Sequence, residues 1–378
     1  MHRIGYDAKR LFNNFTGLGN YSRTLLGNTA EYYPDNAYHL YSPKITKNEE
    51  TQYFLNNAMF DVHEPNGGLK SWWRLSGIKK DLRKHNIDLF HGLSHEIPLG
   101  IDKTGIRSVV TIHDLVFKRY PHYFPVIDRK IYDMKFRYAC RHADRIVAIS
   151  ESTKKDIIYY YDTDPGKIEV VYQSVDERFM REKAPEVISA VLKKYQLPDQ
   201  FLLYVGSIIA RKNLLNLVKA LSILPKAIRL PLVGVGQGKG YKQKVQEYIS
   251  KQHLEKDILF APIDFDDLPA IYQKAAAFIY PSYYEGFGIP LMESLFSQTP
   301  VVTSNLSSLP EAGGPGASLV DPDDPESIAG AIAEILEGSQ LRQQKIEMGN
   351  VYAREFLAEP LTRQMMELYE RVIGGSEY

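Results

Sequence analysis

The sequence predicts an α/β protein made of two doubly wound domains, each a parallel sheet covered by helices on both faces. Its 378 residues suggest two domains at roughly 150 residues each. Short apolar runs that stop at Gly, Ser or Asp alternate with helix-length segments, which is typical of buried parallel strands joined by helices. The alternation runs to about residue 178 and starts again at about residue 198.

The predicted strands are rich in Val, Ile or Phe, and stretches of helical period separate them. Strands are predicted at 87–92, 108–114, 145–150, 201–207, 229–236, 277–282 and 299–304, and helices at 20–33, 212–224 and 240–252. The charged stretch 177–200 indicates the connection, so we place the domains at 1–180 and 181–358. A final helix in 359–378 is expected to pack back on the first domain or on the second. Ligands of such folds bind outside the carboxyl ends of strands, so we expect the two sheets to face a central cleft.

The composition excludes several classes of protein. The chain has 46 Lys and Arg against 46 Asp and Glu, without the basic excess that a nucleic-acid-binding protein needs. Cys140 is the only cysteine, which excludes an internal disulfide and fits a reducing compartment. The sequence shows neither a secretory signal nor a run of 18 apolar residues. We therefore expect a cytoplasmic protein, free or peripheral on the inner face of the membrane.

The most specific motif follows the predicted strand 277–282 and reads Glu-Gly-Phe-Gly-Ile-Pro-Leu-Met-Glu over residues 285–293. Gly286 and Gly288 allow the backbone to approach a ligand closely. Pro290 suits the first turn of a helix, where its missing N–H costs little. The motif predicts a turn from strand to helix that is open to a ligand.

The start of that helix is expected to bind an anion. The N–H groups of Leu291 and Met292 are expected to point out of the first turn, and Glu293 is expected to accept hydrogen bonds from a ribose diol. Together these groups predict a site for a nucleoside diphosphate that carries a sugar. The structural alternative is a strand–turn–helix joint with two surface glutamates.

A second motif follows the predicted strand 201–207. That strand ends near Gly206, and Arg211 and Lys212 come next, where the following helix is expected to begin. Guanidinium and ammonium groups in this place suit a pyrophosphate. The residues alone equally allow a solvated basic pair at a helix edge.

The motif over 285–293 resembles that of the retaining glycosyltransferases of family four, which adopt the GT-B fold. In this family the first glutamate and the backbone after it contact the donor sugar, and the second glutamate holds the ribose. The resemblance assigns these roles to Glu285, Gly286, Phe287, Gly288 and Glu293.

The resemblance also gives the basic pair a role. The family places a diphosphate-binding lysine at the position of Lys212, often beside an arginine, here Arg211. Many members carry a further arginine directly after the strand-end glycine, where this chain has Ser207. With one cation fewer beside the donor, Arg211 and Lys212 are expected to matter more.

Two Gly-rich loops complete the predicted donor site. Gly17 and Gly19 permit a positive φ and open a helix, and the resemblance places Gly17 beside the donor phosphate and sugar. Gly234 and Gly236 do not form a dinucleotide-binding fingerprint, and the resemblance places them beside the nucleotide. From the residues alone, either loop could be an ordinary turn.

Histidines at predicted strand ends are the remaining candidates. His113 ends the strand 108–114, and the resemblance places it beside the anomeric carbon of the donor. Asp114 is its expected partner on the acceptor side. His91, His95 and Glu96 lie at the end of the preceding strand and are expected to bind acceptor hydroxyls. The alternative for all of them is a polar residue bonded within its own loop.

We expect no metal and no cofactor besides a GDP-sugar or UDP-sugar donor. The Asp-x-Asp pairs at 162–164, 264–266 and 321–323 have the local character of turns and caps, and no histidine spacing resembles a zinc site.

The basic charge is concentrated in residues 70–145, which hold 16 basic and 8 acidic side chains. Trp72 and Trp73 lie in the same segment. Aromatic, cationic segments favour anionic membranes, although a helix that packs its tryptophans on the sheet is the alternative.

The predicted function is the retaining transfer of a hexose from a nucleoside diphosphate to a glycan or lipid-linked acceptor in the synthesis of a cell-surface polysaccharide. The similarity to bacterial mannosyltransferases makes GDP-mannose the first candidate donor, and UDP-hexoses the next. A non-catalytic sugar-nucleotide sensor is the alternative from another class. A nicotinamide oxidoreductase does not fit, because the first strand lacks the glycine fingerprint.

Overall fold

The structure, a computed structural model, describes residues 1–375 and forms two compact units. Unit 1 holds Met1–Ser174 and the segment that begins at Phe356, and unit 2 holds Val175–Glu355. The chain passes from unit 1 to unit 2 after Ser174, before the predicted domain boundary at residue 180, because Phe179 packs against Phe265 and Tyr272 of unit 2. No helix within the described residues is both long and apolar enough to cross a membrane.

Unit 1 is built on a parallel sheet of seven strands in the order β3-β2-β1-β4-β5-β6-β7. Its strands are β1 (Arg3–Asp7), β2 (Ala37–Tyr41), β3 (Phe60–His63), β4 (Leu89–Gly92), β5 (Arg107–Ile112), β6 (Arg145–Ala148) and β7 (Ile168–Val170). The predictions at 87–92, 108–114 and 145–150 are confirmed as β4, β5 and β6. The predictions missed β1, β2, β3 and β7. Strands β1 and β2 carry Tyr, Gly and His in place of a Val- and Ile-rich run.

Helices cover the sheet of unit 1 on both faces. They are α1 (Lys9–Asn13), α2 (Gly17–Tyr32), α3 (Glu49–Asn56), α4 (Lys70–Trp72), α5 (Ile78–Lys84), α6 (Val116–Arg119), α7 (Val126–His142) and α8 (Glu151–Tyr161). One turn of π-helix, Trp73–Gly77, joins α4 to α5. Because both faces are covered, Val110, Ile112 and Ile146 are fully buried.

Unit 2 repeats the design with six parallel strands in the order β10-β9-β8-β11-β12-β13. The strands are β8 (Leu202–Val205), β9 (Leu232–Val235), β10 (Ile258–Phe260), β11 (Ala277–Tyr280), β12 (Val301–Ser304) and β13 (Ala317–Val320). The helices are α9 (Pro185–Lys194), α10 (Leu214–Ile223), α11 (Gly240–Lys251), α12 (Leu268–Lys274), α13 (Ile289–Phe296), α14 (Leu309–Gly313), α15 (Pro325–Glu337) and α16 (Ser339–Ala353). The four strands predicted here are confirmed as β8, β9, β11 and β12.

The strand orders fix where each unit can bind a ligand. Both sheets contain the nucleotide-binding order 3-2-1-4-5-6, in which the chain reverses direction across the sheet beside its first strand. The reversal lies between β1 and β4 in unit 1 and between β8 and β11 in unit 2. The crevice at the carboxyl ends of β8 and β11 is therefore the expected ligand site of unit 2.

The last helix, α17 (Ala358–Gly374), belongs to unit 1 and packs against α2, β4 and β5. The hydroxyl of Tyr369 lies 2.6 Å from Nδ1 of His91, the third residue of β4. The final segment was expected to pack on the first domain or on the second, and its described part packs on the first. Residues 376–378 of the predicted helix lie outside the described residues.

Candidate active site

The candidate site of unit 2 lies where β8 and β9 end in glycines. Gly206 follows β8 with φ 149°, and Gly236 follows β9 with φ 150°. A Cβ on Gly236 would lie 2.0 Å from the carbonyl oxygen of Gly206, and a Cβ on Gly206 would lie 3.0 Å from Nζ of Lys212. Both positions therefore favour glycine. The bare backbone at Gly206 leaves room for the lysine.

Lys212, Tyr280 and Glu285 form a chain of polar contacts at this edge of the sheet. Nζ of Lys212 donates to the hydroxyl of Tyr280 at 2.5 Å, and that hydroxyl donates to Oε1 of Glu285 at 3.0 Å. Nζ also lies 3.8 Å from the same carboxylate oxygen. Because Tyr280 is the last residue of β11, the end of the strand sets the spacing between the cation and the carboxylate.

Arg211 joins the loop after β11 to the turn after β8. Its guanidinium donates to the carbonyl of Tyr284 and lies 2.9 Å from Oε1 of Glu285. In return, the N–H of Tyr283 donates to the carbonyl of Arg211 at 2.9 Å. The basic pair does not open a helix as expected, because it lies in a 3₁₀ turn, Ala210–Lys212, ahead of α10.

Burial and neighbouring charges shift the pKa values of this cluster in opposite directions. Burial lowers the pKa of Lys212, an effect that Glu285 opposes. Burial would raise the pKa of Glu285, but Lys212 and Arg211 bring that pKa below its ordinary value. The side chains of all three residues are less than a fifth exposed. Glu285 is therefore ionised at neutral pH and is held between two cations.

Hydrogen bonds with two serines fix the turn that leads into α13. The hydroxyl of Ser308 donates to the carbonyls of Glu285 and Phe287 at 2.9 and 2.6 Å, and the N–H of Glu285 donates to Ser307 at 3.1 Å. Gly288 has φ 137°, and a Cβ there would lie 3.0 Å from Cβ of Ala312. The turn is thus fixed in place, and Gly288 suits a position that disfavours a side chain.

The N–H groups of Leu291 and Met292 do not point out of the helix as predicted. Both N–H groups donate to the carbonyl of Gly288, at 2.9 and 3.4 Å. Helix α13 begins at Ile289, which moves Pro290 to the second helical position and places these amides inside the first turn. Leu291 is fully buried and packs in the core.

Glu293 lies on the buried side of α13 and is 8% exposed. The hydroxyl of Tyr272 donates to its Oε2 at 2.9 Å. Burial raises the pKa of Glu293 to about 7, although the hydrogen bond from Tyr272 acts in the opposite direction. This carboxyl group therefore changes protonation near neutral pH.

His113 follows β5 in unit 1 and is 5% exposed. Its Nε2 lies 2.8 Å from the carbonyl oxygen of Leu93, an acceptor that fixes Nε2 as the protonated nitrogen. The ring packs edge-on against Tyr21 with centroids 4.6 Å apart. Burial lowers the pKa of His113 to about 4. The imidazole is therefore neutral at pH 7, with Nδ1 as its acceptor.

Two family models match the chain, one on each unit. Residues 190–351 match the model described as glycosyl transferases group 1, and residues 25–179 match the model described as glycosyltransferase family 4. The chain belongs to the family four glycosyltransferases. The predicted family is thereby confirmed.

Curated relatives and a solved structure agree with this assignment. O-antigen chain mannosyltransferase B of Escherichia coli is 28% identical over 76% of this chain and 76% of its own length. O-antigen chain mannosyltransferase RfbU of Salmonella typhimurium is 30% identical over 64% of this chain and 63% of its length, so the chain spans less than two thirds of that relative. The Anabaena protein HepE, in complex with UDP and glucose, superimposes with a TM-score of 0.76 at 16% identity, covering 98% of this chain and 99% of HepE. The fold is GT-B, as predicted.

Not all the predicted glycines of this glycosyltransferase adopt the expected conformation. Neither Gly17 nor Gly19 has a positive φ, because both lie in the first turn of α2. A Cβ on Gly19 would lie 1.7 Å from the carbonyl oxygen of Asn14, whereas one on Gly17 would meet open space. A Cβ on Gly234 would lie 3.0 Å from the ring of Phe260. Gly19 and Gly234 thus permit close packing within the unit, and Gly17 leaves its helix start open.

His91 corrects the predicted acceptor set. Its side chain is fully buried, with Nδ1 2.6 Å from Tyr369 and Nε2 2.8 Å from the hydroxyl of Thr111. Both ring nitrogens are satisfied inside unit 1. The predicted strand 87–92 includes His91, and β4 does include it, but its side chain lies in the core instead of at an open strand end.

The other predicted acceptor residues have partners in unit 1. His95 stacks on Phe136 with centroids 4.2 Å apart, and its Nδ1 accepts from the N–H of His113. Asp114 accepts from the N–H of Val116 at 3.1 Å. Glu96 forms ion pairs with Arg74 at 2.8 Å and Lys135 at 3.3 Å.

The Asp-x-Asp pairs at 162–164 and 321–323 lie in local turns and caps, as predicted, whereas the pair at 264–266 forms ion pairs with residues distant in sequence. Asp162 ends α8 and Asp164 caps the 3₁₀ turn that follows. In another pair, Asp264 contacts Lys194 and Asp266 contacts Arg178. In the third, Asp321 accepts from the N–H of Asp323.

The sequence reasoning missed four residues that position the predicted ones. Tyr280 and Ser282 hold Glu285, Tyr272 holds Glu293, and Ser308 holds the turn. Tyr280 and Tyr272 resemble ordinary core residues in the sequence. Their hydroxyls gain a polar partner only through the packing of β11 and α12 against the motif.

Proposed function

We propose that this glycosyltransferase transfers mannose from GDP-mannose, with retention of the anomeric configuration, to a glycan or lipid-linked acceptor of a cell-surface polysaccharide. The names of the two O-antigen mannosyltransferases support the sugar and the type of polymer. The observation that carries the proposal is the cluster of Arg211, Lys212 and Glu285 at the switch point of unit 2. A buried pair of cations beside an ionised carboxylate is suited to a diphosphate joined to a sugar.

The chemistry follows from this arrangement of charge. As the bond between the anomeric carbon and the diphosphate oxygen breaks, its electron pair goes to the diphosphate. Lys212 and Arg211 stabilise the negative charge that builds up there, because they are held in place before the reaction begins. The hydroxyl of the acceptor attacks the face that the diphosphate leaves, and its proton goes to the departing phosphate oxygen. The products are GDP and a mannoside of retained configuration.

The proposed roles of the carboxylates follow from their ionisation. Glu285 is ionised and already accepts from Tyr280 and Ser282, so we assign it to binding of the donor sugar rather than to proton transfer. Glu293, with its pKa raised to about 7 by burial, is assigned to the ribose diol. We assign His113 to the donor sugar as a neutral group whose Nδ1 accepts a hydrogen bond.

A panel of nucleotide sugars tests the donor. GDP-mannose is expected to give the highest kcat/KM for transfer or hydrolysis, and to raise the melting temperature most. The HepE complex holds UDP and glucose, which makes UDP-glucose the main competitor. Preference for a UDP-hexose would overturn the donor but leave the reaction class intact. Binding of a donor without transfer or hydrolysis under any condition would favour a non-catalytic sensor.

Two measurements test the chemistry. The anomeric configuration of the product, read by NMR, is expected to match that of the donor, and inversion would contradict the mechanism. Transfer is expected to persist in excess EDTA, because Arg211 and Lys212 supply the positive charge that a divalent ion supplies elsewhere. Activity that is lost in EDTA and restored by Mn²⁺ would show that these cations do not suffice.

We further propose that unit 1 binds an anionic membrane surface through residues 70–145. Trp72 is 55% exposed, whereas Trp73 is partly buried against the core and donates to Asp81 at 2.6 Å. Helix α7 exposes Val126, Ile127 and Met134, and it carries five lysines and arginines. Apolar side chains beside basic ones suit a membrane interface. Co-sedimentation with vesicles is expected to rise with their content of anionic lipid, and indifference to that content would refute the proposal.

A further inference from the structure

Three histidines from distant parts of the sequence meet at the outer strands of unit 1. His39 lies on β2, His63 ends β3, and His85 follows α5. One nitrogen from each ring lies within 4.8 Å of the other two. Nδ1 of His39 is 3.0 Å from Nε2 of His63, and the rings of His63 and His85 stack with centroids 4.2 Å apart.

The register of the sheet produces the first two members of this cluster. In the parallel pair of β2 and β3, His39 is opposite Asp61 and Tyr41 is opposite His63. Alternate residues of a strand share a face, so all four side chains lie on the same side of the sheet. His85 reaches this face from the end of α5, and its Nδ1 lies 2.8 Å from the hydroxyl of Tyr41.

We propose that His39, His63 and His85 bind a divalent transition-metal ion of the Zn²⁺ class. Imidazole nitrogens suit Zn²⁺, and three protein ligands with an open fourth position are a common arrangement for it. Tetrahedral Zn–N bonds separate ligand nitrogens by about 3.4 Å. The 3.0 Å between His39 and His63 is close to that spacing, and a modest turn of the stacked rings brings the third nitrogen in.

The surroundings suit a metal ligand set in two ways. The Tyr41 hydroxyl orients His85 through its other nitrogen, as outer partners commonly orient metal-binding imidazoles. The carboxylate of Asp61 lies 3.7 Å from Nδ1 of His39 and is available to balance the charge of the ion.

An ion also has a route to the cluster. His63 and His85 line a cavity of about 1120 Å³ in unit 1, between the loop at Pro65–Leu69 and helix α5. The open coordination position would face this cavity. The site involves residues of unit 1 that have no assigned part in sugar transfer, so the proposal is independent of the donor and of the metal independence of the reaction.

Titration of the untagged, chelator-treated full chain with ZnCl₂ tests the site. Calorimetry is expected to give one ion per chain. Loss of one ligand, in His63→Ala or in His85→Ala, is expected to weaken binding by more than ~100-fold, and Tyr41→Phe by ~10- to 100-fold. His122→Ala is the matched control, because His122 is an exposed histidine outside the cluster, and it is expected to bind as the wild type does.

A second measurement covers variants that do not fold. Co²⁺ added to the wild-type chain is expected to give the intense visible bands of tetrahedral coordination, and Zn²⁺ is expected to displace them. Absence of binding by the wild type at millimolar Zn²⁺ would overturn the proposal. Equal affinity in a folded His63→Ala variant would do the same, because it would show that the ion binds elsewhere.

Discussion

The role of Lys212 gives the sharpest prediction. Lys212→Met removes the charge and keeps a flexible side chain of similar length, so the space beside Gly206 stays filled. We expect kcat/KM for sugar transfer to fall by ~10²- to 10³-fold. The melting temperature is expected to change little, because Arg211 still pairs with Glu285 at 2.9 Å.

The magnitude follows from the charge that is lost. A unit charge at ~4 Å from a diphosphate charge, with an effective dielectric constant of ~20, contributes ~4 kcal/mol. The side chain of Lys212 is 14% exposed, so its charge is only partly solvated, and its Nζ lies 3.8 Å from the carboxylate of Glu285. Each ~1.4 kcal/mol of transition-state stabilisation corresponds to a tenfold change in rate. Part of the interaction is present in the ground state, so the loss in rate is smaller than the full Coulomb energy.

The assay measures initial rates against donor concentration, so that kcat and KM are separated. Lys219→Met on α10 is the charge-matched control, because Nζ of Lys219 contacts only its neighbour Asn216 among the contacts found within the described chain. Lys212→Arg is expected to recover part of the activity. A folded Lys212→Met variant with kcat/KM within about threefold of the wild type would refute the assignment of Lys212 to the leaving diphosphate.

Three further predictions concern pH and packing. Burial holds the pKa of His91 at about 3 and that of His113 at about 4, below the value of ~6.5 in the unfolded chain. As the pH falls, the unfolded state therefore takes up protons first. Each histidine is expected to lower the free energy of unfolding, measured with urea, by about 1.4 kcal/mol at pH 5.5 relative to pH 8. Donor affinity, measured by calorimetry, is expected to fall below pH 7, where Glu293 becomes protonated. Glu293→Gln is expected to remove this pH dependence of binding, and an unchanged pH dependence in the variant would exclude Glu293 as its source. Gly288→Ala is expected to cost ~1–3 kcal/mol because of its backbone conformation, whereas Gly330→Ala in α15, where a Cβ meets open space, is expected to be neutral or stabilising; equal effects would contradict this account.

The sequence was sufficient to predict the fold because its signals are local. Apolar runs of four to seven residues mark the buried strands, and the glycines and proline near residue 288 mark the turn before α13. The same local signals failed where partners come from elsewhere. The first turn of α13 begins one residue earlier than Pro290 suggested, and that shift places the N–H groups of Leu291 and Met292 inside the helix.

Residues distant in sequence account for the other misses. His91 resembles a loop residue until Tyr369 of the last helix is seen to bond it. The three histidines at 39, 63 and 85 have no zinc-like spacing, and only the pairing of β2 with β3 brings the first two together. The roles that the family resemblance assigns to Glu285, Glu293, Lys212 and His113 stay predictions. What the structure adds is the hydrogen bonds that hold each of these side chains.

The return of α17 to unit 1 affects the order in which the chain folds during synthesis. Unit 2 is continuous in sequence and has all its residues once Glu355 has left the ribosome. Unit 1 is made first, but it lacks α17 until the segment after Glu355 has also been synthesised. Until then the hydroxyl of Tyr369 is missing from His91, and the surfaces of α2, β4 and β5 that α17 covers are exposed. The unit nearest the N-terminus is therefore the last to be finished, and a fragment that ends at residue 174 would lack part of its own core.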